Sequence, residues 1–323
     1  MLFAFLSETP ANHYMPLFSI IVPTYNRAHL ITKTIDSVLA QTFRDYEIIV
    51  IDDKSTDNTY DVLRLYIKNQ SVHYFLNEQN YERAISRNRG IDEAKGKYIS
   101  LLDSDDILFP DCLKHAAEFL SANPNCVFFH CKYVFVNEKH EIIDKQTYPK
   151  SDNAFKEIMK GNYISNIGFF LLTETARKLR VDENPEFRGV EDYDFIIRAI
   201  AESGGAKKID HYDCGVLMHP QRSVFTDDWN FIRHRTIAFM QKQLTSDYFR
   251  QYYWPYRDVL KTHLYMYLSS HSATRKKAGK AAAYLFKVLK TSPTMIFSKA
   301  FWKHVLVVIK YRVRSIKFSN EAQ

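Results

Sequence analysis

The sequence predicts an α/β fold: a doubly wound, mostly parallel sheet with helices on both faces, followed by a helical C-terminal region. Three observations predict it. Four short apolar runs alternate with stretches of helical periodicity over the first hundred residues, which reads β-α-β-α-β-α-β. Parallel strands joined by helices wind in one right-handed sense. Polar clusters fall where these runs end, at Thr24, at Asp52 and Asp53, and at Asp103 and Asp105. A parallel sheet brings such ends to one edge, where α/β folds bind polar ligands. From about residue 226 onward the chain turns aromatic, helical and finally basic.

The elements follow in order. Residues 1–16 read as a tail or a lead-in to the first strand. FSIIV, Phe18 to Val22, is a buried strand stopped by Pro23, which has no N–H to continue a ladder. Thr24, Tyr25 and Asn26 form a turn, and a helix follows with Leu30, Ile31, Ile35, Val38 and Leu39 on one face. YEIIVID is the second strand. KSTDNT is a polar turn able to cap a helix that carries Val62, Leu63, Tyr66 and Ile67. SVHYF is the third strand, and a helix from about Arg83 to Ala94 leads into the fourth, GKYISLLDSDD.

That fourth strand carries Tyr98, Ile99, Leu101 and Leu102 straight into Asp103, Asp105 and Asp106. Like charges this close repel unless a cation lies between them, so the triplet reads as a divalent metal site. The alternative is a solvated acidic turn capping the next helix, with Asp111 near its start. No GxGxxG or GxxxxGK[ST] occurs, so the glycine cradles for dinucleotides and for nucleoside triphosphates are missing. A phosphate at this edge would need a metal and side chains.

At 323 residues, 46% hydrophobic and 15% aromatic, the chain can bury a sizeable core; nine glycines leave no room for long flexible linkers. Four cysteines, Cys112, Cys126, Cys131 and Cys214, show no CxxC and no paired metal spacing. They read as reduced core residues in a reducing compartment. The start, MLFAFLSETP, lacks a basic segment and a small-residue cleavage site, so it is a poor signal peptide. No window approaches the roughly 20 apolar residues of a spanning helix. The net charge of +7 is local. Twelve of the 44 Lys and Arg lie between Arg275 and Lys317, without one Asp or Glu, which leaves 32 basic against 37 acidic residues elsewhere.

Three blocks, SIIVPTYNR, IIVIDDKSTDNT and SRNRGIDEAKGKYISLLDSDD, occur in an order and at spacings that resemble the nucleotide-binding half of family-2 glycosyltransferases of the GT-A fold. The resemblance spans about 90 residues. It implies that Asp53 bonds a uracil, that Asp103 bonds the ribose, and that Asp105 holds the Mn²⁺ or Mg²⁺ bridging the diphosphate. Thr24 would line the nucleotide site, and Arg87 and Asn88 would orient the nucleotide or diphosphate. Further on, YISNIGFFLLT resembles the acceptor-side strand of the family. FRGVEDYDFIIRAIAESGG resembles its Glu-Asp motif, in which the second acid is the catalytic base; that role falls to Asp192, with Glu191 and Asp194 as substitutes. These acids open a helix with Phe195, Ile196 and Ile200 inward and Gly204/Gly205 at its end. Acids in a first turn also simply suit the helix dipole, which favours the ionised form a base needs. In CGVLMHPQRSV, His219 stands where the family often has a histidine on the metal or diphosphate; a turn residue before Pro220 is the other reading.

The expected organisation is a catalytic domain over 1–225, with a nucleotide half at about 17–110 and an acceptor half at about 111–225. A helical region fills 226–323, basic and amphipathic from about 275. There Tyr284, Leu285, Val288 and Leu289 form one apolar stripe, and Phe301, Trp302, Val305, Leu306 and Ile309 a second, with lysines alongside. Basic helices with Trp and Phe suit an anionic membrane surface. Packing on the main domain with solvated charges is the alternative. The stripes are aliphatic and carry no nucleic-acid motif, so no nucleic acid is expected.

The resemblance implies an inverting, metal-dependent transferase that moves a sugar from a nucleotide-sugar, a UDP-sugar first of all, to a glycan or lipid-linked acceptor in surface polysaccharide assembly. It would work in the cytoplasm, peripherally at the inner face of the plasma membrane. A sugar nucleotidyltransferase would carry a glycine-rich basic loop where PTYNRAH stands. A non-catalytic sugar-nucleotide or glycan-binding protein would not need Asp53, Asp103, Asp105 and Asp192 together.

Overall fold

The structure, a computed structural model, describes residues 15–219, 222, 228–299, 301–306 and 308–309. Most of the proposed N-terminal tail and residues 310–317 of the basic segment lie outside the described residues.

The first four strands and their helices follow the sequence pattern. They are β1 (Phe18–Thr24), α1 (Ile31–Leu39), β2 (Tyr46–Asp52), α2 (Thr59–Lys68), β3 (His73–Leu76), α3 (Glu82–Glu93) and β4 (Tyr98–Leu101). β1 does not stop at Pro23. Its ladder with β2 runs on to the pair Thr24↔Asp52. Ile21 turns its carbonyl toward β4, where Leu102 N–H donates to it at 2.9 Å. Pro23, two residues on, faces the same way, beyond the last β1–β4 pair, Ile21↔Leu101. The missing N–H therefore costs no ladder bond.

Then come β5 (Ile107–Leu108), α4 (Cys112–Ala122), β6 (Phe128–Val136), β7 (Ile142–Lys145), α5 (Ala154–Ile158), β8 (Phe169–Leu172), α6 (Thr173–Leu179), α7 (Glu191–Glu202) and β9 (Lys207–Leu217). The sheet order is β3-β2-β1-β4-β8-β6-β9-β5, with β7 beside β6. The sheet is mixed. β1 to β4 are parallel, β8 is antiparallel to both β4 and β6, and β9 is parallel to β6 but antiparallel to β5. β6 and β9 thus point the same way as β4. Their C-terminal ends arrive at the edge where β1, β2 and β4 end.

Alternation along the strands sorts side chains onto two faces. Ile20, Val22, Ile48, Val50, Tyr98, Phe129 and Phe170 face α1, α2 and α4. Ile21, Ile49, Ile51, Ile99, Leu101, Phe128 and Phe169 face α3, α5, α6 and α7. α3 lies very close on the sheet at Gly90, where an added Cβ would stand 2.2 Å from Ile21 Cγ2. Past the end of α7, Gly204 takes a left-handed φ of +69°, which turns the Gly205 N–H back to donate to Ile200 O at 2.8 Å.

The helical region is not separate from this core. α8 (Trp229–Thr245), α9 (Asp247–Tyr252) and α10 (Arg257–Thr274) put Phe239, Phe249, Tyr253, Leu260 and Leu264 into the same cluster as Phe195 and Ile196 of α7. The first basic helix, α11 (Ala278–Thr291), buries Tyr284, Leu285 and Val288. Leu285 and Val288 pack beside Met266 and Ala273 of α10, and Tyr284 beside Trp229 and Leu268. That stripe is therefore used in packing. The second stripe divides: Phe301 is buried, whereas Trp302, Leu306 and Ile309 are exposed, together with Phe286 and Phe297. Among the described residues no helix is long and apolar enough to cross a membrane. Three of the four cysteines, Cys112, Cys131 and Cys214, are free thiols buried together in the core; the neighbouring strands β6 and β9 and the start of α4, not sequence spacing, gather them.

Candidate active site

The strand ends build the site. Thr24 closes β1; its side chain is buried, and Oγ1 has no hydrogen-bond partner. At the end of β2 two adjacent acids take different roles, because successive strand residues face opposite ways. Asp52 accepts from Ser55 N–H at 2.8 Å and from the Tyr74 hydroxyl at 2.7 Å, so it holds the turn. Asp53 accepts from Asn77 Nδ2 at 2.7 Å and Tyr81 N–H at 3.0 Å, both on Oδ1, which leaves Oδ2 for a ligand. Thr24, Asp53, Arg83, Arg87, Asp103 and Asp105 all line one cavity of about 170 Å³.

Arg87 is the centre of the site. It is 1% exposed. Nη2 donates to Asp103 Oδ1 and Nη1 to Glu191 Oε1, each at 2.8 Å. Asn166, turned to present its amide oxygen, accepts from Nη1 at 3.3 Å. Burial works against the guanidinium charge, but Asp103, Glu191 and Asp192 outweigh it and hold Arg87 firmly protonated. In return, although burial alone would raise Asp103, Arg87 and Arg83 keep it below the usual carboxylate range.

Asn88 departs from the sequence expectation. Its Nδ2 donates to Val181 O at 2.8 Å and to Glu183 Oε1 at 2.7 Å, and its Oδ1 accepts from Val181 N–H at 2.8 Å. It does not line the cavity. A step of one residue along α3 rotates the side chain by about 100°, which aims Asn88 at the 181–183 loop rather than at a nucleotide.

The loop after β4 gathers its acids. Asp103, Asp105 and Asp106 place one carboxylate oxygen each within 4.8 Å of one another. Asp105 Oδ2 lies 2.9 Å from Nε2 of His219, which the parallel course of β9 delivers to this edge. Asp106 is buried and accepts from Leu217 N–H at 2.9 Å and Arg222 Nη1 at 3.0 Å. Burial pushes it up to about 8, against Arg222 and with help from Asp105 and Asp103. Three carboxylates this close together, next to an imidazole, are a fitting donor set for a divalent cation.

The second acidic triplet fans out instead. Glu191 accepts from Arg87 and from the Gly189 N–H. Asp194 is buried against Arg198 and Lys242, both at 2.8 Å, and Gln243 Nε2 at 2.7 Å. Glu191 and Asp192 both line a second cavity, of about 540 Å³, that shares Arg83, Arg87 and Asp103 with the first, but Glu191 is buried and held by Arg87, whereas Asp192 is half-buried and makes no ion pair among the described residues. Its Oδ1 accepts from Tyr193 N–H at 2.8 Å and its Oδ2 from Asn162 Nδ2 at 3.2 Å. The helix start does not leave it at the ordinary carboxylate value. Burial, then repulsion from Glu191, raises it to about 6, against Arg87. It is still mostly ionised at neutral pH.

Sequence reasoning missed several lining residues. Arg83 precedes Arg87 by one helical turn, and Arg222 follows His219 by three residues; both stood within or beside the blocks already marked. Phe239 of α8 and His263 and Tyr267 of α10 also line the larger cavity. Nothing in their local sequence signals that.

Comparison with known proteins agrees with this geometry. The model of the family described as Glycosyl transferase family 2 matches residues 19–180. The chain is 30% identical over 181 residues to the putative teichuronic acid biosynthesis glycosyltransferase TuaG of Bacillus subtilis, covering 56% of this chain and 70% of that protein. It spans only 23% of the length of two rickettsial relatives that it matches over 143 residues. Among solved structures it resembles S. aureus TarS 1–349 in complex with UDP-GlcNAc, with a TM-score of 0.65, 18% identity, and 95% and 92% of the two chains covered. It also resembles the mannosyltransferase PcManGT of Pyrobaculum calidifontis in complex with GDP-Man and Mn²⁺, with a TM-score of 0.62, 17% identity, and 96% and 90% covered. At these identities the structures establish the shared fold.

Proposed function

The chain belongs to glycosyl transferase family 2, and on that premise we propose an inverting, metal-dependent transfer of a sugar from a UDP-sugar to a hydroxyl of a glycan or lipid-linked acceptor in surface polysaccharide biosynthesis. The observation that carries the proposal is the placement of Asp192. Glu191 lines the larger cavity too but is engaged by Arg87 and the Gly189 N–H, and Asp194 is locked away from it, so Asp192 is the acid at that cavity without a cationic partner; the cavity meets the smaller one at Asp103 and Arg87.

The smaller cavity takes the nucleotide. Asp53, with Oδ2 unengaged, accepts from the base; Asp103 bonds the ribose; the orphaned Thr24 hydroxyl gains a partner. A divalent cation held by Asp105 with His219 supplies positive charge beside the departing diphosphate. Mg²⁺ takes almost purely oxygen ligands, so the imidazole tilts this set toward Mn²⁺. Arg83, part exposed at the junction of the cavities, adds charge from the protein itself.

In the larger cavity Asp192 removes the proton from an acceptor hydroxyl. The oxygen forms its bond to the anomeric carbon as the bond to the diphosphate oxygen breaks on the opposite face, which inverts the configuration. General-base catalysis of this kind is worth roughly 10²–10⁴-fold. A base at about 6 is ionised at pH 7 yet basic enough to take up a proton in the transition state.

The exposed side chains Phe286, Phe297, Trp302, Leu306 and Ile309, beside the lysines of the same segment, suit the inner face of an anionic membrane. Phe297 is 88% exposed. Phe297→Asp with Leu306→Asp should lower co-sedimentation with anionic vesicles without disturbing the packed stripe; undiminished binding would remove this surface as the contact.

The deciding experiment supplies the protein and Mn²⁺ with UDP-, GDP- and dTDP-sugars and follows nucleoside diphosphate release. Release from one UDP-sugar, abolished by EDTA and by Asp105→Ala, is the expected result. Release from a GDP- or dTDP-sugar alone would replace the donor assignment, and release unaffected by EDTA would overturn metal dependence.

A further inference from the structure

A second group of metal-ligating side chains lies away from the donor edge. His115 stands on α4, one turn from its start, and His211 and Asp213 stand two residues apart on β9, so both lean to one side of the strand. His115 Nδ1 is 3.0 Å from Asp213 Oδ1. The rings of His115 and His211 are stacked with centroids 4.0 Å apart. One ligand atom from each of the three residues falls within 4.8 Å of the others.

Two details point to a cation. Asp213 is 4% exposed, and its Oδ2 is buried with no hydrogen-bond partner, an arrangement that costs roughly 1–3 kcal/mol if nothing fills it. His115 Nδ1 and Asp213 Oδ1, 3.0 Å apart, need open only to the about 3.4 Å that two ligands about 2.1 Å from one tetrahedral ion span. The stacked His211 ring presents a nitrogen within 4.8 Å of the other two ligand atoms. It is exposed, so it can turn its nitrogen toward the pair without disturbing the core.

We propose that His115, His211 and Asp213 form a second metal site, for a borderline divalent transition ion such as Zn²⁺. Two imidazoles and one carboxylate, with a position open to water, suit zinc and disfavour Mg²⁺. The site ties α4 to β9. α4 follows the acidic loop after β4, and β9 runs on from Asp213 through four residues, about 13 Å of strand, to Leu217 beside Asp106. An ion here braces the two elements that flank the donor edge without entering it.

The test uses the full chain, stripped with chelator and held in excess Mn²⁺ and Mg²⁺ so that the donor edge is supplied with its own ion. Zn²⁺ is titrated against a chromophoric chelator. The expected result is one Zn²⁺ per chain that Mg²⁺ does not displace. His211→Ala and His115→Gln should each weaken it by at least about tenfold, since even outer-shell losses cost 10- to 100-fold, while Asp105→Ala keeps it. Co²⁺ in place of Zn²⁺ should give ligand-field bands without a sulfur-to-metal charge-transfer band. Unchanged Zn²⁺ affinity in both histidine variants, loss of the ion in Asp105→Ala, or a sulfur charge-transfer band from the buried Cys112, Cys131 and Cys214 would each overturn the proposal. His211 is exposed, so its replacement leaves the fold intact and the comparison readable.

Discussion

Two acidic triplets in this molecule look alike in sequence and behave in opposite ways. Asp103, Asp105 and Asp106 follow a strand and converge: their oxygens share one small volume with His219 and Arg222 beside it. Glu191, Asp192 and Asp194 open a helix and diverge: one binds Arg87, one faces a cavity, one is locked by Arg198, Lys242 and Gln243. The difference is geometric. A loop leaving a strand end can fold its side chains onto one point, whereas a helix turns each residue about 100° from the last. Convergence makes a place for a cation. Divergence leaves one acid without a cationic partner while its neighbours hold the structure around it.

That contrast can be broken by experiment. The largest expected effect is on Asp192: Asp192→Asn should cut transfer by roughly 10²–10⁴-fold while nucleotide binding stays intact. Near-normal turnover would move the base elsewhere. Next is Glu191→Ala, which strands the buried Arg87. Breaking a buried ion pair costs about 3–5 kcal/mol, so denaturant unfolding should reveal a large loss of stability; a small one would mean that Asp103 and Asn166 suffice for Arg87.

The pH profile sharpens the same comparison. Asp192 must be ionised to act, and its carboxyl sits at about 6. Transfer should therefore rise with pH through about 6 and level off above 7, falling about tenfold per unit on the acid side. An acid limb near 4 instead would show that burial and Glu191 do not govern this group. The smallest effect belongs to Asp194→Asn. It should cost about 1–3 kcal/mol, the price of leaving buried partners poorly paired, with kcat of the folded enzyme unchanged. A fall in kcat without a fall in stability would mean that Asp194 belongs to the chemistry.

The donor half was readable because its signals are local. Ile20 and Ile21, or Ile48 and Ile49, alternate between the two faces of the sheet as a buried strand requires, and each cluster of polar residues follows its strand directly. The remainder was less readable. β5 and β7 are too short, or too exposed, to stand out as apolar runs. β8 reverses direction for reasons that lie in its neighbours, so the second half of the sheet is mixed. The family resemblance implies that Asn88 orients the nucleotide or diphosphate together with Arg87, but side-chain direction on α3 sends it to Val181 and Glu183. The apolar stripe of Tyr284, Leu285 and Val288 was equally ready for a membrane or for α10, and packing took it.

The sequence by itself determined the parallel strands, the edge at which they end, and the acids placed there, because hydrophobic period and strand-end position are properties of neighbours along the chain. Tertiary structure alone decided which partners each acid of the two groups meets. It also decided that α8 and α10 wall the larger cavity, and that His115 meets Asp213 across two elements. Those outcomes depend on register, helix rotation and burial, which are fixed only when distant segments pack.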